Sequence, residues 1–138
     1  MFIDATESKL RSIVSMGWII SVLLQIADLV VRLSNAAILD DFSGFLFDPG
    51  EVGLKAFAVV VCVHAILILS IQLTDAIWFR WLNVILLPIF CLLFMAHQIF
   101  HLISGGMVPA AHMIVTTQYL IGFVVTVYAV KWARAGKK

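Results

Sequence analysis

The sequence predicts an all-α integral membrane protein, a four-helix bundle with both termini cytoplasmic and a short interfacial helix in its first outer loop. Three observations carry this: too few charges to coat a soluble domain, four apolar runs of spanning length, and helix-breaking residues between them. Of 138 residues, 63% are hydrophobic and 12% charged, and the mean hydropathy is +1.10. A water-facing exterior needs roughly a quarter of its residues charged. Lipid is therefore the expected solvent for most of the surface. A crossing takes roughly 20 apolar residues, so the chain has room for four spans and short loops, organised as a single domain over 1–138.

The spans fall near 12–33, 52–73, 81–103 and 109–132, and none shows the alternation of a barrel strand. Ser34-Asn35-Ala36 resembles a small-residue cleavage site, but the first apolar run is long for a signal peptide and Asp28 and Arg32 interrupt its end. Span 1 is expected to stay in the mature protein. Asp48, Pro49 and Glu51 read as an N-cap, a first-turn proline and a capping acid ahead of span 2. Ser104-Gly105-Gly106 closes span 3, and Pro109 opens span 4. Pro88 inside span 3 removes one backbone hydrogen bond.

Orientation follows from charge. With the termini and the loop between spans 2 and 3 on one side, that side holds Lys9, Arg11, Arg80, Lys131, Arg134, Lys137 and Lys138, against Arg32 and Lys55 on the other. Positive residues stay in the cytoplasm, which places both termini there; Trp18, Trp78, Trp81 and Trp132 read as an aromatic belt on the same side. A bacterial inner membrane is the expected location. The outer loop carries Asp40, Asp41, Asp48 and Glu51 beside Ile38, Leu39, Phe42, Phe45 and Leu46, spaced as one apolar face of a short interfacial helix. This four-span layout resembles that of small DoxX-like bacterial membrane proteins; no sequence motif accompanies the likeness, and nothing about function follows from it.

An ionisable residue within a span is costly, by ~2.5–3.5 kcal/mol on insertion scales, so it is expected to face the bundle with a partner. Asp28, Arg32, His97, His101 and His112 collect in the outer half, with Asp28 level with His97 and Arg32 level with His101. Each pair four residues apart shares a helix face. On span 1 that face continues through Gln25, Ser21 and Gly17; on span 4, from His112 through Thr116 and Tyr119 to Thr126. His64 lies near the middle of span 2, with Gln25 as its expected neighbour.

Four readings of this outer cluster compete. In the first, Asp28 pairs with Arg32 and the histidines are interhelical glue. In the second, His97, His101 and His112 hold a metal ion, with Asp28 as ligand or acceptor. In the third, two imidazoles hold haem b, an arrangement strained by the roughly 8 Å of helix rise between His64 and His97. In the fourth, a quinone, lipid or small solute sits beside a proton-passing Asp28–histidine chain. The expectation is no cofactor.

Cys62 and Cys91 read as small apolar core residues without metal or redox spacing. No phosphate-binding loop, nucleophile elbow, zinc-protease or dinucleotide motif occurs, and the net charge of +1 offers nothing to nucleic acid. Spans 1–2 and 3–4 share no motif that would suggest an inverted-repeat transporter. The sequence therefore points to a non-catalytic membrane subunit packing within a larger complex or homo-oligomer. Its alternative is a redox, ligand-binding or proton-coupled bundle using the outer histidines.

Overall fold

A computed structural model describes residues 5–39, 51–103 and 108–136, with backbone only for residues 51–57 and 101. Among the described residues there are four helices and no strands: α1 (Ala5–Leu39), α2 (Glu51–Leu73), α3 (Ile77–Ile103) and α4 (Pro109–Ala135). Three helical stretches, Ala5–Leu39, Ile77–Phe100 and Pro109–Ala135, are long and apolar enough to cross a membrane. In α2 the stretch Ala58–Leu73 is apolar but shorter than a span, and the side chains of residues 51–57 lie outside the described residues.

Helix ends follow backbone chemistry more closely than hydropathy. α1 has 35 residues, about 50 Å of helix, against a hydrocarbon core of about 30 Å. It overruns the expected span at both ends because no proline or glycine interrupts it there. Ile38 and Leu39, expected in a separate interfacial helix, instead finish α1; the rest of that stretch, and the Asp48–Pro49 cap, lie outside the described residues. α4 starts where Pro109 places it, after an extended Val108 with φ −107°. Thr74, Asp75 and Ala76 join α2 to α3, and the Ala76 N–H donates to Thr74 Oγ1 at 3.4 Å.

α1 packs along α4, and α4 along α3, while α2 rests mainly on α1. On α4 the buried Ala111, Val115, Gln118, Val125, Ala129 and Trp132, with the half-buried Gly122, alternate by four and three residues. On α1 the buried Arg11, Val14, Trp18 and Gln25 and the half-buried Ser21, Asp28 and Arg32 step by three and four. This is the seam spacing of two helices packed side by side. Glycine permits the close approach: a Cβ on Gly17 would run into Val125, and one on Gly122 into the Cys91 sulfur. Large apolar residues turn outward on every helix, as a lipid-facing surface requires; Leu23, Leu69, Leu93 and Phe123 are examples.

The interior is divided lengthwise. In the half nearer the termini, Val14, Trp18, Leu67, Ile71, Leu87, Val125, Ala129 and Trp132 form a closely packed apolar core. Trp18 and Trp132 are 1% and 0% exposed, which corrects their reading as belt residues. The indole N–H of Trp18 is satisfied inside the bundle, by Asn83, so it needs no headgroup. Cys62 faces outward, a second correction, while Cys91 is half-buried; both are free thiols.

Candidate functional site: a polar seam in the bundle

At the termini end, ion pairs tie the helices together. Arg80 pairs with Glu7 and lies 3.8 Å from Asp75, which also pairs with Arg11. Arg80 Nη1 donates to the Trp132 carbonyl at 3.2 Å, and its guanidinium lies 5.2 Å from the Trp132 ring centroid. One side chain thus links the start of α1, the α2–α3 turn and the last turn of α4. Nearby, Gln72 donates to Ser15 Oγ at 3.0 Å.

At mid-bundle, His64 is fully buried and sits edge-on to Trp18 and Phe90, with centroid separations of 5.0 and 4.8 Å. Its Nδ1 lies 2.8 Å from the Val60 carbonyl oxygen. A carbonyl only accepts, so Nδ1 carries the hydrogen and Nε2 presents its lone pair. That lone pair faces Gln25 Nε2 at 3.3 Å and Ser21 Oγ at 3.5 Å. Gln118 Nε2 donates to the same Ser21 oxygen at 3.0 Å. Gln25 is the neighbour expected for His64. Ser21, Gln25, His64 and Gln118 together join three helices.

Further along, Asp28 Oδ2 accepts from Arg32 Nε at 3.0 Å, and Arg32 Nη2 donates to Gln98 Oε1 at 3.4 Å. The side chains of Arg32 and Asp28 are 10% and 16% exposed. A paired, hydrogen-bonded guanidinium is the form in which a buried charge survives this environment. His97 lies on an exposed face of α3, within electrostatic reach of Arg32 and Asp28. His112 and Tyr119 are half-buried, and among the described residues His112 Nε2 and the Tyr119 hydroxyl have no hydrogen-bond partner. Thr116 is exposed and bonds back to the His112 carbonyl at 2.8 Å. The His101 side chain lies outside the described residues.

These positions correct the expected faces of two helices by one residue each. On α4 the seam holds Gln118, where the histidine stripe pointed to Tyr119 and Thr116; on α3 it holds Gln98, where the stripe pointed to His97. A helix turns 100° per residue, so one position moves a side chain off the seam. The amides Asn83, Gln98 and Gln118 fall off the stripes that start from the ionisable residues of each span. Their signal was present: Gln118 continues the spacing of Ala111, Val115, Gly122 and Val125.

A cavity of about 20 Å³ lies between Gly17, Ser21, Cys91, Gln118 and Gly122, enough for one water molecule. It is far smaller than the ~300–1,000 Å³ of an ordinary small-molecule site. Among the described residues no three His, Cys, Asp or Glu side chains are grouped to hold a metal ion. What the seam does chemically is hydrogen-bond helix to helix and present one imidazole lone pair to the bundle interior. Comparison with protein-family models, curated proteins and solved structures returns no match.

Proposed function

We propose that this chain is a non-catalytic subunit of a membrane complex or homo-oligomer, crossing the bilayer four times with both termini in the cytoplasm. The observation that carries this reading is the open flank of α2. A helix in a closed four-helix bundle has two close neighbours. Among the described residues α2 has an extended backbone approach to α1 alone. In lipid, where apolar surface gains nothing by leaving the hydrocarbon, helices associate through close packing and interhelical hydrogen bonds. The free flank of α2 is the place for a further helix, from another copy or another protein.

The seam supports the same reading, since Gln25, Gln98 and Gln118 each reach a side chain on a neighbouring helix. The small enclosed volume disfavours a haem or quinone within one chain.

Native mass spectrometry of protein extracted with its lipid tests the proposal. The expected species is a multiple of the 15.3 kDa chain, or a fixed-stoichiometry complex. Cys62, exposed on α2, serves as a native crosslinking handle in intact membranes. A lone 15.3 kDa species at every lipid ratio, with no Cys62 crosslink, would overturn it.

A further inference from the structure

Among the described residues, five buried polar atoms lie unpartnered in the half remote from the termini: Gln25 Oε1, Asp28 Oδ1, Gln98 Nε2, His112 Nε2 and the Tyr119 hydroxyl. Two hydrogen-bonded groups on neighbouring turns of α1 carry most of them. Asp28 and Gln98 share Arg32, Tyr119 is within electrostatic reach of Asp28, and Gln25 contacts His64. Each such atom is costly to leave dry, because it forfeits its hydration without gaining a partner. The set mixes two acceptors, one donor, one imidazole nitrogen and one hydroxyl, and water can serve all of these chemistries. Toward the termini the polar path reaches Ser21, Gln118 and the one-water cavity, then meets Trp18. Trp18 is closed to it: its N–H is committed to Asn83 at 2.9 Å, within the apolar core.

We propose that this half of the bundle is a one-ended hydrated proton well, entered beside Arg32, Asp28 and Gln98 and ending on His64 Nε2. The ligand is the proton. The site goes beyond the packing role and does not depend on it, since all of its residues come from one chain. On uptake, a hydronium ion gives its proton to Nε2, forming an N–H bond and releasing water, while Nδ1–H stays on the Val60 carbonyl. The Gln25 amide, which donates to neutral His64, then rotates by half a turn. Its unpartnered Oε1 becomes the acceptor for the new Nε2–H. Release reverses both movements.

The surroundings of His64 suit a single positive charge. α1 presents Ser21 and Gln25, with Asp28 one turn further out and shared with Arg32. α3 presents the Phe90 ring and α4 presents Gln118 through Ser21, with Tyr119 beyond. Trp18 and Phe90 flank the imidazole in T-shaped contacts.

Solid-state NMR of ¹⁵N-labelled protein in lipid bilayers tests the well. Water-edited spectra should show rapid magnetisation transfer from water to the Gln25 and Gln98 side-chain amides and little to the Trp18 indole. Acidifying the solution from about pH 8 to about pH 4 should convert the His64 Nε2 signal, identified by its loss in His64→Gln, from bare to protonated. Gln25→Leu, checked for folding by its backbone spectrum, should leave Nε2 bare over the same range. Gln98→Leu should reduce water transfer to Gln25. Dry amides in the unaltered protein, or a His64 ring unchanged to the lowest pH in a folded bundle, would overturn the proposal. Full protonation in Gln25→Leu would overturn the amide-rotation step.

Discussion

Trp18 Nε1 donates to Asn83 Oδ1 at 2.9 Å, joining α1 to α3 where both side chains are buried to within 1% of complete. Asn83 in turn donates to the Phe79 carbonyl at 2.9 Å, which holds its amide in one orientation. Replacing Asn83 with Ala leaves the indole N–H in an apolar core. Interhelical hydrogen bonds in lipid average ~0.6 kcal/mol and reach ~1.7, so a loss of ~1–2 kcal/mol is expected, cavity included. In a double-mutant cycle, Trp18→Phe should cost less in the Asn83→Ala background than in the unaltered chain. Reversible unfolding in mixed micelles measures both; strict additivity would mean that the pair is not coupled.

Gly17 and Val125 set the distance between α1 and α4. A Cβ at position 17 meets the branched Val125 side chain, which has little freedom to move aside. Gly17→Ala should therefore destabilise the bundle by ~1–3 kcal/mol, the usual range for overpacking. Adding Val125→Ala should recover much of that loss. If Gly17→Ala unfolds at the same denaturant level as the unaltered protein, the close approach of these helices is incorrect.

Arg80 joins three chain segments, and its planar fork makes these contacts together. Arg80→Met should lower stability by ~2–3 kcal/mol, less than a fully buried pair because Asp75 is 45% exposed. Arg80→Lys should recover less than half of it, since an ammonium cannot span Glu7, the Trp132 carbonyl and the Trp132 ring. Gly136→Ala should act in the same direction, because its Cβ would lie 2.7 Å from Arg80 Nη1. Equal stability of the Lys variant and the unaltered protein would show that charge alone matters there.

The proposed topology has a direct check. A fluorescent reporter fused after Lys138 should be active, and an alkaline phosphatase fused at the same point inactive, if the C-terminus is cytoplasmic. Phosphatase fused in the loop between α1 and α2 should be active. The opposite pattern in either loop or terminus sinks the four-crossing arrangement.

How much of this was legible beforehand depended on the kind of signal. Pro109 marked the start of α4 to the residue, because a missing N–H has one consequence at any depth in lipid or water. The Asp28–Arg32 pair was readable from its spacing of four. The far ends of α1 were not, because hydropathy reports where lipid stops and a helix with no breaker continues past it. Trp18 differs from expectation for a related reason, since Asn83 satisfies its indole N–H inside the bundle, and Trp132 because its ring is buried beside Arg80.

By itself the sequence determined the helical class and the apolar character of the long helices, since these depend on counts and positions along the chain. Only the tertiary structure decided which side chains share the seam. Gln98 and His97 differ by one residue, as do Gln118 and Tyr119, and each step is 100° of rotation. Hydrophobicity barely distinguishes those faces in a helix that is apolar all round. The choice was made where Gly17 and Gly122 let backbones approach and interhelical hydrogen bonds formed, a relation between helices that no single helix carries.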